Sequence, residues 1–453
     1  MVRVAGGRFA PGHLGELTQQ VPFEMVDAVL AETGAVQRRV RDLPSRVVVY
    51  LVLAGCLFAE LGYGQVWARL VAGLDGLDLA CPGEAGLTKA RARVGPAPLR
   101  ALFDLLRGQA ATCAGFGRWR GLLVCAVDGT IMSVADTAAN LTVFSKQRGG
   151  PTGGSSYPML RLVAVVACGT RTIIGAVFGP ATTGETTYAR QLLPSLRAGM
   201  LILADRNFAA GYLLAEITDR GAHLLVRAKT GAGGPKLPVL ARHGDGSYRS
   251  AFGGRPVRVV EAEITITTTA GTATGVYRLI TTLLDHHHYP ADALVRLYHE
   301  RWEIETAYLE LKSSILGGRV LRARTPAGID QEVYALLATY QILRTAMTDA
   351  TNTTPHLDPD RASFTTALHA ARDQLIQAAG VIAETVIDLA GTIGRRVLNN
   401  LLPDRRLRLN ARTVKRAISK YNARGPNIDR RTYKATLTLT ILTGPPSKTG
   451  PEP

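Results

Sequence analysis

Two apolar segments that each end in an aspartate constrain the fold of this 453-residue chain more than any other feature. The segment LLVCAVDGT (122–130) ends its apolar run at Asp128, and MLILADRNF (200–208) ends its run at Asp205. Near-continuous apolar runs predict strands covered on both faces, so helices should flank the sheet. An acid directly after such a run is expected at the rim of the sheet, where it meets solvent or a ligand. Either aspartate alone is more typical of a turn at a strand end.

The segments around these two runs predict a mixed sheet. MLRLVAVVACG (159–169) and IIGAVFGP (173–180) should form a hairpin, because the tight turn CGTR joins them. A helix is predicted over TGETTYARQLLPSL, in which Glu185 is interpreted as an acid at the helix start. A second helix, AAGYLLAEITDRG, precedes another strand, AHLLVRAKT. This order of strands and helices predicts an α/β core.

A long helix is predicted over residues 292–316, and four of its residues fall on one narrow stripe. Tyr298, Arg301, Glu305 and Lys312 are spaced three, four and seven apart, within roughly 60° of one another on a helix. A second stripe is expected to pack on a core: Leu297, Ile304, Tyr308 and Leu311. Three other glutamates project onto the far face and are expected to be solvated: Glu300, Glu303 and Glu310. A salt-bridged amphipathic helix with no further role has the same pattern.

The four-residue stripe resembles the YREK signature of bacterial insertion-sequence transposases of the DDE class, in the type-four insertion-sequence group. The chain matches Tyr-x2-Arg-x3-Glu-x6-Lys at all four positions, and VDGT and ADRNF are similar to the family's two aspartate motifs. The resemblance covers roughly residues 15–400. It implies an RNase H-like core in which Asp128, Asp205 and Glu305 are the catalytic, metal-binding triad.

The chemistry of these residue types agrees with that implication. Phosphodiester cleavage needs an activated water or 3′-hydroxyl and a stabilised leaving oxyanion, and two divalent ions supply both. Carboxylate oxygens suit Mg²⁺ or Mn²⁺. Asp128 is expected to bridge two ions, with Asp205 and Glu305 each holding one. Arg301 is expected to make a bidentate contact to a DNA phosphate, and Lys312 to contact another as a point charge.

Three further residues are expected near the DNA. Tyr298 would hydrogen-bond a phosphate or orient Glu305. Trp302 would stack on a base near the cleavage point or pack on the domain's own surface. Arg206, which follows the second aspartate, is expected to contact DNA. Relatives place a tryptophan in the β insertion to hold a flipped base; this insertion has none, Tyr277 is the candidate substitute, and the sequence leaves a hairpin intermediate open.

Three regions are predicted along the chain. Residues 1–115 form a helical N-terminal DNA-binding domain; a helical bundle with solvated arginines would have the same pattern. Residues 116–350 form the RNase H-like core, with a β-rich insertion at about 230–288. Residues 351–453 form a helical, basic C-terminal region with a disordered end. The basic segment from Arg405 to Lys434 is interpreted as a second contact to the phosphate backbone, with a solvated tail as the alternative.

Composition narrows the class of partner. Lys and Arg number 53 against 36 Asp and Glu, giving a net charge of +17 and a pI near 10.0, which favours a polyanionic partner. The longest apolar run, residues 47–59, is shorter than the ~20 residues that a membrane span needs. The five cysteines are scattered without a CxxC pair, so reduced thiols in the cytosol are expected. The resemblance implies a bacterial cytoplasmic protein associated with the nucleoid.

The sequence thus predicts a cut-and-paste DNA transposase. It would bind terminal inverted repeats as a homodimer across two ends, nick to free 3′-hydroxyls with Mg²⁺ or Mn²⁺, and join these ends to target DNA. One alternative is an RNase H-like nuclease or relic that cuts without joining. Another is a DNA-binding protein without catalysis. The DNA sequence recognised, the target preference and the oligomeric state without DNA are not encoded in any readable pattern.

Overall fold

A computed structural model describes residues 2–4, 7–108, 117–146, 157–231, 233–269, 271–378, 391–403, 408–409 and 433–443. Within these residues twelve strands form one mixed sheet, with buried hydrophobic clusters on both of its faces. A separate two-stranded sheet joins β1 (Val2–Arg3) to β2 (Phe9–Ala10). No described helix is both long enough and apolar enough to cross a membrane.

The N-terminal region is a group of short helices, as its sequence predicts. Their bounds are α1 Phe23–Glu32, α2 Ser45–Leu57, α3 Tyr63–Val71, α4 Glu84–Val94 and α5 Ala97–Leu106. Pro22 and Pro44 immediately precede α1 and α2, where the helix does not need the N–H that proline lacks. The apolar run in α2 is buried along almost its whole length. The β1–β2 pair is the one departure from the all-helical expectation among the described residues of this region.

Five strands form the centre of the sheet in the order β8–β7–β4–β5–β6. The short strand β3 pairs antiparallel with the start of β4. The bounds are β3 Arg118–Trp119, β4 Leu122–Ser133, β5 Met159–Ala167, β6 Ile173–Pro180, β7 Met200–Ala204 and β8 His223–Ala228. The α-helices described between these strands are α6 Ala138–Leu141, α7 Glu185–Gln191 and α8 Gly211–Asp219. β4, β7 and β8 are parallel, while β5 and β6 form the predicted antiparallel hairpin. The predicted mixed α/β sheet is confirmed, because alternate residues of each strand enter the two hydrophobic clusters.

The expected strand end at Asp128 is wrong, because β4 continues for five residues to Ser133. Its antiparallel neighbour β5 pairs with it over this whole length, from Asp128 opposite Ala164 to Ser133 opposite Met159. The parallel neighbour β7 stops at Ala204, opposite Val127. Asp128 is therefore the first residue of β4 without a partner on the β7 side. The predicted strand end at Asp205 is correct.

The β-rich insertion extends the same sheet. It contains β9 Ala241–Arg242, β10 Tyr248–Phe252, β11 Arg255–Thr268 and β12 Gly271–Thr281. β12 pairs antiparallel with β8, so the insertion is continuous with the core. The helical C-terminal expectation is wrong for residues 433–441, which form strand β14 (Tyr433–Ile441) beside β11, next to the short β13 (Arg408–Leu409). The alternation in TLTLT places β-branched residues on a pleated surface, which favours a strand. Most of the basic segment 405–434 lies outside the described residues.

The predicted long helix is present as four consecutive helical pieces. They are α9 Ala291–Tyr298, a 3₁₀ turn His299–Arg301, α10 Trp302–Leu309 and a π-helical turn Glu310–Ile315. The helices that follow are α11 Pro326–Asn352, α12 Phe364–Ile376 and α13 Gly391–Leu398. α11 packs against α2 and α5, so the N-terminal helices share one hydrophobic cluster with the sheet.

Glu303 and Glu310 were expected on a solvated face, but both are buried. Arg171, from the turn between β5 and β6, pairs with Glu303 at 2.5 Å and with Glu310 at 3.5 Å. Arg344 of α11 also pairs with Glu310, and the Tyr340 hydroxyl donates to it at 3.1 Å. These pairings explain the burial, because a buried carboxylate needs a cation and hydrogen bonds. They attach the face of the helical segment that carries Glu303 and Glu310, here called its rear face, to the β5–β6 turn and to α11.

Substituting Arg344→Met is expected to lower the free energy of unfolding by about 3–5 kcal/mol, because it removes one partner of a buried ion pair. Urea unfolding followed by circular dichroism measures the change. Arg396→Ala is the matched control, because its pair with Asp373 has both side chains more than 40% exposed. That control should cost less than about 1 kcal/mol. Equal effects of the two substitutions would contradict this account of the rear face.

Candidate active site

Asp128 and Asp205 occupy equivalent positions on adjacent parallel strands. Val127 of β4 pairs with Ala204 of β7, and each aspartate is the next residue in its chain. Neighbouring strands lie ~4.8 Å apart, so the two aspartates are neighbours at this rim of the sheet. Asp205 begins a 3₁₀ turn, and its Oδ1 accepts a hydrogen bond of 2.8 Å from the Asn207 N–H. The fold thus brings together the two aspartates that the sequence singles out.

Arg301 joins the third predicted carboxylate to this pair. Its Nη1 donates to Asp128 Oδ2 at 3.2 Å, and its Nη2 donates to Glu305 Oε1 at 3.0 Å. The Arg301 side chain is only 10% exposed, whereas that of Glu305 is 39% exposed. The guanidinium therefore lies between two carboxylates, with Glu305 toward solvent and Asp128 toward the sheet.

Burial controls the protonation of Asp128. The pKa of this carboxyl is raised from 3.8 to about 7, chiefly by burial and in smaller part by the charges of Asp205 and Glu305. The Arg301 guanidinium and the N–H of Gly129, which donates to Asp128 Oδ1 at 2.7 Å, act in the opposite direction. Burial outweighs both, because removing a carboxylate from water disfavours its charged form. A strong cation at this position would restore the carboxylate.

Two tyrosines attach the helical segment to the strands at this rim. The Tyr298 hydroxyl donates to the Ala204 carbonyl at 3.0 Å, and the Tyr308 hydroxyl donates to the Asp128 carbonyl at 2.7 Å. Both rings are buried. Tyr298 therefore contacts the backbone beside Asp205, and the structure shows no contact between its hydroxyl and Glu305. Tyr308, predicted only to pack on a core, also fixes the backbone of Asp128.

The other predicted DNA-contact residues surround the carboxylates. The Lys312 ammonium donates to Thr130 Oγ1 at 3.2 Å, two residues beyond Asp128 on β4. Trp302 is half-buried, and its ring centroid lies 5.2 Å from the Arg301 guanidinium carbon. Arg206 is half-buried in the 3₁₀ turn that follows Asp205. The helical segment therefore presents two cations, Arg301 and Lys312, and the indole of Trp302 at this rim of the sheet.

Arg227 belongs to the same rim, although the sequence analysis did not select it. Val226 of β8 pairs with Ala204, so Arg227 lies level with Asp205 on the next strand. Its guanidinium carbon lies 3.9 Å from the ring centroid of Tyr277 on β12. Its position could have been found from the sequence, because Arg227 directly follows the apolar run of β8 just as each aspartate follows the apolar run of its strand. Tyr277, the candidate substitute for the insertion tryptophan, is thus stacked on a cation beside the carboxylates.

The carboxylates suit a divalent metal in chemistry, although in this arrangement they are not gathered into a complete shell. Among the described residues, no three His, Cys, Asp or Glu side chains are close enough to hold a metal ion together. Asp128 and Glu305 do converge on one cation, the Arg301 guanidinium. Their oxygens are hard ligands that suit Mg²⁺ or Mn²⁺. The chemistry of these donors therefore fits a divalent ion.

Comparison with known proteins places the chain in a family. Residues 11–104 match the family described as insertion element 4 transposase N-terminal, and residues 119–342 match the transposase DDE domain. The chain belongs to the insertion-sequence DDE transposases. It is 26% identical over 423 residues to the transposase InsG for insertion sequence element IS4 of Escherichia coli K12, covering 88% of this chain and 91% of that protein.

Two further likenesses are weaker, one in the length that it covers and the other in sequence identity. The chain is 26% identical over 218 residues to the putative transposase InsZ of Escherichia coli K12, covering 45% of this chain and 68% of that protein. It also resembles a solved piggyBac transposase synaptic complex with hairpin DNA, at 11% identity and a TM-score of 0.44, over 86% of this chain and 85% of the other. The two family matches identify the protein as a DNA transposase with an RNase H-like α/β core, and DDE transposase domains generally use divalent metals.

In EDTA, Asp128→Asn is expected to stabilise this transposase at pH 8 and to leave its stability unchanged at pH 4. The folded-state pKa of about 7 exceeds the ordinary 3.8, so the contribution of the protonated carboxyl is complete below pH 4 and is lost as the pH rises through 7. Asparagine cannot ionise, so the gain at pH 8 should be about 1–3 kcal/mol. Urea unfolding at both pH values measures it. A variant less stable than wild type at pH 8 would contradict the raised pKa.

Proposed function

We propose that this transposase moves its element by a cut-and-paste reaction. It binds the terminal inverted repeats as a homodimer across two ends, nicks each end to free a 3′-hydroxyl, and joins that hydroxyl to target DNA. The observation that carries the proposal is that Arg301 pairs with both Asp128 and Glu305 at the rim of the sheet where Asp205 is the neighbour of Asp128. Three carboxylates from two strands and a helix, with cations beside them, suit phosphoryl transfer with divalent metal.

Asp128, Asp205 and Glu305 are the proposed ligands of two Mg²⁺ or Mn²⁺ ions. When bound, the ions activate the attacking water or 3′-hydroxyl and stabilise the leaving oxyanion. Asp128 is next to Asp205 across the strands and shares the Arg301 guanidinium with Glu305, so it is the carboxylate that would act together with both of the others. Its position in the middle of a strand, with Tyr308 bonded to its carbonyl, supports a fixed ligand. Glu305 is the more exposed and supports a ligand that closes over the site.

Arg301 is the proposed phosphate clamp. Its guanidinium pairs with Asp128 and Glu305, and with metal held by these carboxylates it would be available to the oxygens of a DNA phosphate. A guanidinium suits both partners, because its planar fork bonds carboxylate and phosphate in the same bidentate geometry. Lys312 and Arg227 flank the site on opposite sides and are proposed to contact neighbouring phosphates. Arg206 extends this basic lining after Asp205.

Trp302, Tyr277 and Tyr298 have different proposed parts. Trp302 lies beside the clamp and is half-exposed, which suits stacking on a base next to the scissile phosphate. Tyr277 presents an aromatic ring stacked on Arg227 and is the candidate platform for a flipped base. Tyr298 is buried, so we assign it the positioning of the strand end at Ala204. The helices of residues 1–106 are proposed to recognise the inverted repeat.

Metal-dependent cleavage of a labelled duplex that carries the element's own end tests the proposal. Asp128→Asn and Glu305→Gln are each expected to reduce nicking by more than about 100-fold in Mg²⁺, because a metal site supplies several kcal/mol of transition-state stabilisation. EDTA should abolish nicking by the wild type. Supercoiled target plasmid in the same reaction reports joining of the 3′ ends.

Asp219→Asn is the matched control for this assay, because Asp219 is an exposed aspartate paired with Arg255. It should cleave at the wild-type rate. Cleavage by Glu305→Gln at the wild-type rate would refute the triad. Nicking without any joined product would instead identify a nuclease, and tight binding without cleavage a DNA-binding relic.

Arg301→Ala is expected to weaken binding of the end duplex and to lower the slope of log affinity against log salt by about one, as for the loss of one phosphate contact. Fluorescence anisotropy between 50 and 200 mM KCl measures both quantities. Arg301→Lys should recover part of the slope but less of the affinity, because lysine lacks the bidentate fork. Arg220→Ala, at an exposed position after helix α8 (Gly211–Asp219), is the control and should change neither. An unchanged slope in Arg301→Ala would contradict the clamp.

A further inference from the structure

Glu185 lies on the opposite face of the sheet from α10, at the start of helix α7 (Glu185–Gln191). Its side chain is 23% exposed, and its Oε1 lies 3.8 Å from Nη1 of Arg161 on β5. Its Oε2 accepts a hydrogen bond of 3.5 Å from the Asn207 side-chain amide. The sequence predicted only an acid at a helix start, yet this carboxylate contacts both the hairpin and the turn that follows β7.

Glu185 also explains the glycine that follows Asp128. A Cβ at position 129 would lie 2.8 Å from Glu185 Oε1 and 3.0 Å from its Cδ, closer than real Cβ contacts occur. Gly129 has no positive φ, so backbone conformation does not require glycine there. A Cβ there would displace the Glu185 side chain, because the Glu185 carboxylate lies against the backbone of β4.

Two of the residues beside Glu185, Gly129 and Asn207, each donate a backbone hydrogen bond to one of the two aspartates. The Gly129 N–H donates to Asp128 Oδ1 at 2.7 Å. The Asn207 N–H donates to Asp205 Oδ1 at 2.8 Å. The Glu185 carboxylate therefore lies against both residues whose N–H groups bond to the aspartates. It does so beyond Val127 and Ala204, where the pairing of β4 with β7 ends. Among the described contacts of this rim, it connects the two aspartate segments across the gap that opens where β7 ends.

We infer that Glu185 is a positioning residue that sets the separation of the Asp128 and Asp205 carboxylates. It rests on the proposed function, in which these carboxylates hold the metal. Glu185 acts through Gly129 and Asn207 and does not touch the reacting atoms. Arg161 neutralises its charge, so Glu185 adds order to the site without adding to the repulsion between the carboxylates.

Binding of Mn²⁺ to the full-length chain, followed by the electron paramagnetic resonance signal of the free ion, tests this inference without any cleavage reaction. Glu185→Ala is expected to weaken Mn²⁺ binding by about 10–100-fold, as for other residues that orient metal ligands. Glu185→Gln should weaken it by less than about fivefold, because its amide oxygen still accepts from Asn207 and a partly exposed ion pair contributes little. A loss in Glu185→Gln equal to that in Glu185→Ala would overturn the positioning role.

A double-mutant comparison separates positioning from general damage. Gly129→Ala pushes the Glu185 carboxylate away, so it should weaken Mn²⁺ binding to a similar degree as Glu185→Ala. The double variant should bind no more weakly than Gly129→Ala alone, because both changes remove the same contact. Losses that multiply would show independent effects and would overturn the inference.

Two controls distinguish failure of this inference from failure of the proposed function. Glu216→Ala removes another glutamate paired with an arginine, Arg190, and should leave Mn²⁺ binding unchanged. Asp128→Asn should abolish tight binding. If Asp128→Asn loses Mn²⁺ while Glu185→Ala keeps it, only the inference on Glu185 fails. If Asp128→Asn binds Mn²⁺ as the wild type does, or the wild type shows no saturable binding, both proposals fail.

Discussion

Repulsion among carboxylates at one rim of the sheet is the constraint on which the rest of the structure depends. Asp128 and Asp205 sit side by side, and Glu305 approaches from a helix, so a cation must lie among them. Arg301 provides that cation from the helix itself, one turn before Glu305. The helical segment therefore carries both the carboxylate of Glu305 and the positive charge of Arg301 that offsets the repulsion among the carboxylates. In the proposed function a metal ion beside these carboxylates would carry the same positive sign as the guanidinium.

Such a helix must be held firmly, and it is held on two sides. On the front, Tyr298 and Tyr308 bond to strand carbonyls beside the two aspartates. On the rear, Glu303 and Glu310 pair with arginines from a hairpin turn and from α11. The π-helical turn that begins at Glu310 places an extra residue in the helix where these restraints meet, as π-helical turns at functional sites often do. The neighbouring segments thus determine where Glu305 lies more than helix propensity does.

Local patterns were sufficient to find the strands, the hairpin and the helix stripe, because burial on both faces and helical periodicity leave direct signals in the sequence. They failed where the partner is distant in the chain. Glu303 and Glu310 looked solvated because the arginine that buries them, Arg171, is more than 130 residues away. Asp128 looked like a strand end because the apolar run stops there, whereas pairing with β5 continues β4 to Ser133. Glu185 looked like a helix-start acid because its contacts come from three separate strands and turns.

The pairing of β14 with β11 also has a consequence for synthesis of the protein. Residues 262–268 of β11 bond to residues 435–441, roughly 170 positions later, so this edge is completed only by the end of the chain. At about 5–20 residues per second, a ribosome needs on the order of 10–30 s to make that stretch. During this interval the backbone N–H and C=O groups of β11 on that side lack their final strand, and an exposed edge is a template for wrong pairing. A nascent chain of this transposase therefore leaves this edge open to wrong pairing after residues 262–268 have been made and before residues 435–441 arrive.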